Sequence, residues 1–120
     1  MEARISKWIA SHARFRNTIS AFLEHSEEGQ KIPQKIFLAF LKSVICHSRG
    51  EEKMFQGIPE LQILFAEHKG LVGFVPGSEE EKVEFCKHLL VHMQEEETAV
   101  RRHFKIVSTQ ESQLKNNRIL

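Results

Sequence analysis

Apolar residues recur along this chain at intervals of three and four, the spacing that lines one side of an α-helix, and they do so in four separate runs. The first run holds Ile5, Trp8, Ile9, Phe15, Ile19, Phe22 and Leu23 and predicts a helix from about Ile5 to His25. A second, with Ile36, Phe37, Phe40, Leu41, Val44 and Ile45, predicts a helix from about Pro33 to Phe55. Leu61, Leu64, Phe65 and Leu71 or Val72 mark a shorter third helix. The fourth holds Phe85, Cys86, Leu89, Met93 and Val100 and extends to about Val107. Punctuation agrees with these limits. Gly29 and Pro33 close the first gap, Gly57-Ile58-Pro59 the second, and Gly73 to Gly77 with Pro76 the third. Ser78 ahead of Glu79, Glu80 and Glu81 is an N-cap followed by acids at the positive end of a helix. Gly50, inside the second predicted helix, costs up to about 1 kcal/mol relative to alanine, and either close packing or room beside a site accounts for it. With no period-two alternation and no internal repeat, the pattern predicts an all-α fold, an up-down-up-down antiparallel four-helix bundle over residues 1–107. The polar stretch 108–120 is then a tail, either a frayed extension or a short docked helix.

Several polar residues interrupt the apolar stripes. On the fourth helix, at about 100° per residue, His92 and Glu96 fall in the same sector as Phe85, Leu89, Met93 and Val100. Residues four apart lie one above the other, so an imidazole and a carboxylate at that spacing can hold one cation. His47 and Glu51 repeat the arrangement on the second helix. His12 sits one turn after Trp8, and His68 lies on the apolar side of the third helix. A carboxylate facing a core is costly unless it is paired or coordinates a metal. Four inward stripes would bring His12, His47, Glu51, His68, His92 and Glu96 together, and bundle cores build two-metal sites from helix-borne carboxylates and imidazoles in this way.

Composition narrows the class. The 120 residues suit one domain, and with 41% hydrophobic, 28% charged and a formal net charge of +1 they describe an ordinary globular chain without the basic field of a nucleic-acid binder. No apolar run approaches a membrane span and Met1-Glu2-Ala3-Arg4 does not open like a signal peptide, so a cytoplasmic location with no membrane partner is expected. Cys46 and Cys86 have no Cys-x-x-Cys neighbour and read as reduced core thiols. All 16 acidic residues are glutamate, which makes glutamate the only carboxylate ligand available.

These residues resemble the hemerythrin-like, or HHE cation-binding, domains. The resemblance covers His12 to about Phe104 and rests on His12, on His47-Ser-Arg-Gly-Glu51-Glu52-Lys-Met-Phe55, on Glu67-His68 and on His92-Met-Gln-Glu-Glu96-Glu97. It implies a non-haem centre of two irons bridged by Glu51 and Glu96, with His12 and His47 on one iron and His68 and His92 on the other. Oxygen-carrying members bring two histidines, four apart, from helix three, where this chain has Leu64 and Val72 four before and four after His68. They also carry an aspartate five after the helix-four histidine, where Glu97 stands here; the four-residue spacing to Glu96 is more similar to the iron-sensing and bacterial branch. Water, Glu67 or His88 could fill the missing position, while Glu52, Glu95 and Glu97 are expected in solvent or behind the ligands. His25 and His103 are expected at the surface or the edge of the core.

The resemblance implies a protein that binds or senses O2 or iron, with O2 or a small anion as its partner at the metal and a protein partner if it belongs to a longer regulator. A di-iron oxidase or peroxidase is the enzymatic alternative, since open coordination is what catalytic metal sites retain. A metal-free helical interaction module is the third reading. No triad, phosphate loop or base-stacking platform points elsewhere.

Overall fold

The computed structural model describes the backbone at residues 2–71 and 74–119 and the side chains at residues 3–71 and 74–104. Four α-helices, α1 (Glu2–Glu27), α2 (Gln34–Met54), α3 (Pro59–Phe65) and α4 (Glu79–Ile119), account for most of the chain. A 3-10 segment, Ala66–Gly70, continues directly from α3. No strand occurs among the described residues.

Local chemistry sets the helix ends. At the end of α1 the Gly29 amide donates to the Ser26 carbonyl and the Gln30 amide to the His25 carbonyl, which satisfies two carbonyls left over by the last turn. That pairing needs a left-handed residue, and Gly29 supplies it at φ 81°. α2 starts behind Pro33, whose fixed φ of −60° leads into the first turn. At the start of α4 the Glu81 amide donates to Ser78 Oγ at 3.2 Å, and the Glu81 carboxylate accepts from the Gly77 amide at 3.1 Å.

Two apolar clusters form the core. In one, Ile19 and Phe22 of α1 meet Phe37, Phe40 and Val44 of α2 and Cys86, Leu89 and Met93 of α4. In the other, Trp8 meets Phe55, Ile58, Leu61, Phe65, Ala99 and Val100. The start of α1 therefore lies with the end of α2, and the end of α1 with the start of α2. In chain position His12, His47, Glu51 and Glu96 fall between these clusters and His92 stands beside Met93 at the edge of the first, so the polar site occupies the waist of the core with an apolar plug on either side.

Some expectations need correcting. Cys46 is exposed, because it lies about 100° around the helix from His47, and only Cys86 is a core thiol. Burial pushes the Cys86 thiol up to about 11, so it is an unreactive thiol. Ile9 and Ile36 stand 37% and 55% exposed, each one residue off the stripe set by Trp8 and Phe37. The third helix is α-helical only to Phe65, with His68 on the 3-10 continuation. Ile32, expected in a loop, is buried: its amide donates to Glu79 and its carbonyl accepts from Lys82 Nζ at 2.8 Å, pinning the α1–α2 link to the start of α4. Close packing does not explain Gly50, since a side chain there would meet nothing within 4 Å. The backbone of α4 stays helical past Val107 to Ile119. Val72 and the side chains of 108–120 lie outside the described residues.

Candidate metal centre

Periodicity turns one residue per helical turn of each stripe into the waist, and there the stripes are polar. His12 of α1, His47 and Glu51 of α2, His68 of the 3-10 segment and His92 and Glu96 of α4 gather in two groups. One holds His12, His47 and Glu51, the other His68, His92 and Glu96, and within each group the donor atoms lie within 4.8 Å of one another. All except His47 are buried, and His47 is nearly so at 14% side-chain exposure.

The carboxylates connect the groups. Glu51 Oε2 lies 3.4 Å from His12 Nε2 and 3.3 Å from His47 Nε2, while its Oε1 lies 3.6 Å from His68 Nε2. Glu96 Oε2 lies 3.3 Å from His92 Nε2 and 3.6 Å from His68 Nε2, while its Oε1 faces His12 Nε2 at 3.7 Å. Each carboxylate thus presents one oxygen to each group.

Two classes of distance appear around the histidines, and they separate two roles. On their outer nitrogens, His12 Nδ1 is 2.7 Å from Glu97 and His92 Nδ1 is 2.8 Å from Glu67, the length of a charge-assisted hydrogen bond. On their inner nitrogens every contact to Glu51 or Glu96 is 3.3–3.7 Å. Donors that share an ion at about 2.1 Å stand about 3.0–3.5 Å apart for angles of 90–110°. The 2.9 Å separation of His68 Nε2 and His92 Nε2 falls at the near edge of that range. Among the described residues, His12 Nε2, His47 Nε2 and Glu96 Oε2 are buried without a hydrogen-bond partner. Orphaned buried polar atoms cost about 1–3 kcal/mol each, a cost that a shared cation removes. The residues of both groups therefore fit metal ligation.

Carboxylates behind these histidines orient them. Glu97 accepts from His12 and also holds Arg16 at 2.8 Å. Glu67 holds His92, and Glu52 stands 3.4 Å from His68 Nδ1. An outer carboxylate fixes which imidazole nitrogen faces inward and raises its basicity. Trp8 Nε1 donates to Glu51 Oε2 at 2.5 Å, and its ring packs 4.4 Å from His12.

Charge follows from this arrangement. Burial disfavours a charged His92, yet the Glu96 and Glu67 carboxylates outweigh it and raise its pKa to about 9. His12 is likewise raised, burial opposing and Glu51 and Glu97 prevailing. Burial would lift the Glu51 carboxyl, but His12, His47 and Trp8 draw it below the usual carboxylate range. Burial opposes and Arg16 and His12 lower Glu97. The carboxylates of the centre thus favour the protonated forms of His12 and His92.

Of the further candidates, neither Glu67 nor His88 joins the donor groups. Glu67 is turned to the outer nitrogen of His92, and His88 is exposed on the turn preceding it. Glu97, expected behind the ligands, is buried there, whereas Glu95 is exposed. His25 is exposed and His103 half-buried against Phe104. The sequence reading did not anticipate Trp8 and Arg16 as partners of the site. Their signal was the i, i+4, i+8 row Trp8-His12-Arg16 on α1, in which a donor stands on each side of the ligand. Comparison with protein-family models, with curated proteins and with solved structures finds no match to this chain. No helix among the described residues is long and apolar enough to cross a membrane.

Proposed function

We propose that this chain is a hemerythrin-like four-helix bundle of up-down-up-down antiparallel topology that binds two non-haem irons and, through them, binds or senses O2 or iron. The observation that carries the reading is the split in distances at His12 and His92: hydrogen-bond length on the outer nitrogen and ligand-to-ligand separation on the inner one. Glu51 and Glu96, each with an oxygen toward both groups, would serve both ions, and His12 with His47 and His68 with His92 would hold one each. Bound iron would supply one-electron redox chemistry and affinity for O2 or a small anion. The chain's own residues do the rest. Trp8 and the outer glutamates orient the ligands, and the two apolar clusters exclude water from the waist. Protein grown with iron is expected to carry close to two irons per chain by elemental analysis. Finding no transition metal after anaerobic Fe(II) loading would overturn the reading.

Reversible oxygen carriage asks for a closed, nitrogen-rich shell. Leu64 stands where a further histidine of the third helix would be, and Glu67 and His88 do not face the donors. This favours sensing or an oxidase-type reaction over carriage. The reduced, iron-loaded protein is expected to consume dissolved oxygen within minutes and to return none under vacuum. A spectrum that bleaches reversibly over repeated deoxygenation cycles would refute this.

A further inference from the structure

The two groups border different cavities, and His68 also faces a third, lined by Arg49, Glu52 and Lys69. Beside His47, Glu51 and Gly50 lies a wide, shallow depression rimmed by Arg4 and Lys7. Beside His68 and His92 lies a smaller and more enclosed cavity of about 130 Å³. Its walls are Leu71, Phe85 and Leu89, and Glu67 and His88 also line it. The first carries two positive side chains and suits an anion. In the second, apolar side chains supply the walls, and a carboxylate faces an imidazole instead of a cluster of cations.

Size and polarity together define what the enclosed cavity takes. Its volume is far larger than O2 requires and close to that of an apolar cavity of about 150 Å³ that holds benzene. Glu67, which lines it, disfavours an anion there, while the aliphatic and aromatic walls favour an apolar body. His68 and His92 line it, so a donor carried by its occupant would meet the His68/His92/Glu96 group.

We propose that the cavity lined by Leu71, Phe85 and Leu89 is a binding site for a small neutral molecule of at most about benzene size, with an apolar ring or chain and one nitrogen or oxygen donor directed at the His68/His92/Glu96 group. In its use of the metal the proposal rests on the function inferred above; the cavity itself does not. The exogenous ligand thus meets the His68/His92/Glu96 group, while the basic depression adjoins the other group.

Imidazole at pH 8, neutral and of the right size, is the probe. Two readouts apply: methyl NMR of Leu71, Leu89 and Met54, the last lining the basic depression, and the visible spectrum of the Co(II)-loaded protein. Imidazole is expected to shift the Leu71 and Leu89 methyls and the cobalt bands together, and to leave Met54 unmoved. Leu71→Trp, which fills the cavity from its half-buried wall, should weaken binding at least tenfold with metal content unchanged, and Gly50→Leu at the other depression should have no effect. If two metals bind but imidazole shifts neither Leu71 nor Leu89, or shifts Met54 instead, the proposal fails and the di-metal reading stands. If no metal binds and the Leu71 and Leu89 methyls still shift, the di-metal reading fails and the cavity site stands. Equal binding by wild type and Leu71→Trp overturns the proposal even when Leu71→Trp is fully folded.

Discussion

Glu51→Gln and Glu96→Gln are each expected to remove both ions, taking metal content from two per chain to near zero. Each carboxylate has one oxygen in each group, so its loss opens both coordination sets at once. The amide keeps the volume of the side chain, so an intact circular dichroism spectrum can be demanded of the variants. His12→Ala should weaken chiefly the ion held with His47, because its inner nitrogen belongs to that group. His88→Ala should change nothing, since His88 is exposed outside both groups. Elemental analysis and chelator competition read these variants together with His92→Ala. A Glu51→Gln protein that retains one tightly bound ion would show that this carboxylate does not bridge. Equal losses in His88→Ala and His92→Ala would show that the wrong side of α4 has been assigned.

Removing metal should lower the melting temperature by more than about 10 °C, and the gap between loaded and metal-free protein should widen with pH. A ligand at a thousand times its Kd contributes about 4 kcal/mol, and a domain of this size shifts by several degrees per kcal/mol. The pH dependence comes from His92. Its folded pKa of about 9 lies above the unfolded value of 6.5, so a proton bound there stabilises the metal-free fold fully below about pH 6.5. That contribution, a few kcal/mol at most, is lost as pH rises through 9. His12 is displaced in the same direction. A metal must displace these protons, so between pH 6 and pH 8 the His92 proton alone should strengthen apparent metal affinity about 100-fold. Scanning calorimetry with and without chelator at pH 6, 7 and 8 checks both statements. A melting temperature indifferent to chelation would mean that the polar waist is a hydrogen-bonded core and not a cage.

The stripes of α1, α2 and α4 were legible because three residues in ten or so must face inward on an amphipathic helix, and a histidine or glutamate in that register is conspicuous. His92 with Glu96 and His47 with Glu51 share that logic, and in the fold all four reach the waist. The short third helix was less legible. Its pattern from Leu61 to Leu71 reads as one helix, but the 3-10 turn after Phe65 changes the direction in which Glu67 points, toward His92 Nδ1 and away from the donors. Ile32 was missed for a different reason. Its burial depends on Glu79 and Lys82, far away in sequence, and a loop pattern carries no trace of such partners. Trp8 looked like any core aromatic, because spacing cannot say that its indole N–H meets a carboxylate.

The outer carboxylates also set the charge that the site tolerates. Glu51 and Glu96 among the donors and Glu97, Glu67 and Glu52 behind them bring five negative charges, and Arg16 on Glu97 returns one positive charge. With neutral imidazoles, two divalent ions bring this cage to electroneutrality, and two trivalent ions leave two positive charges for which the chain supplies no counterpart. Glu52 and Glu67 are about half in solvent, which softens the balance without changing its sign. If the centre holds two irons as proposed, their oxidation would draw in an anion or expel a proton for each electron lost, which would tie the midpoint potential to pH and to the anions in the surrounding solution.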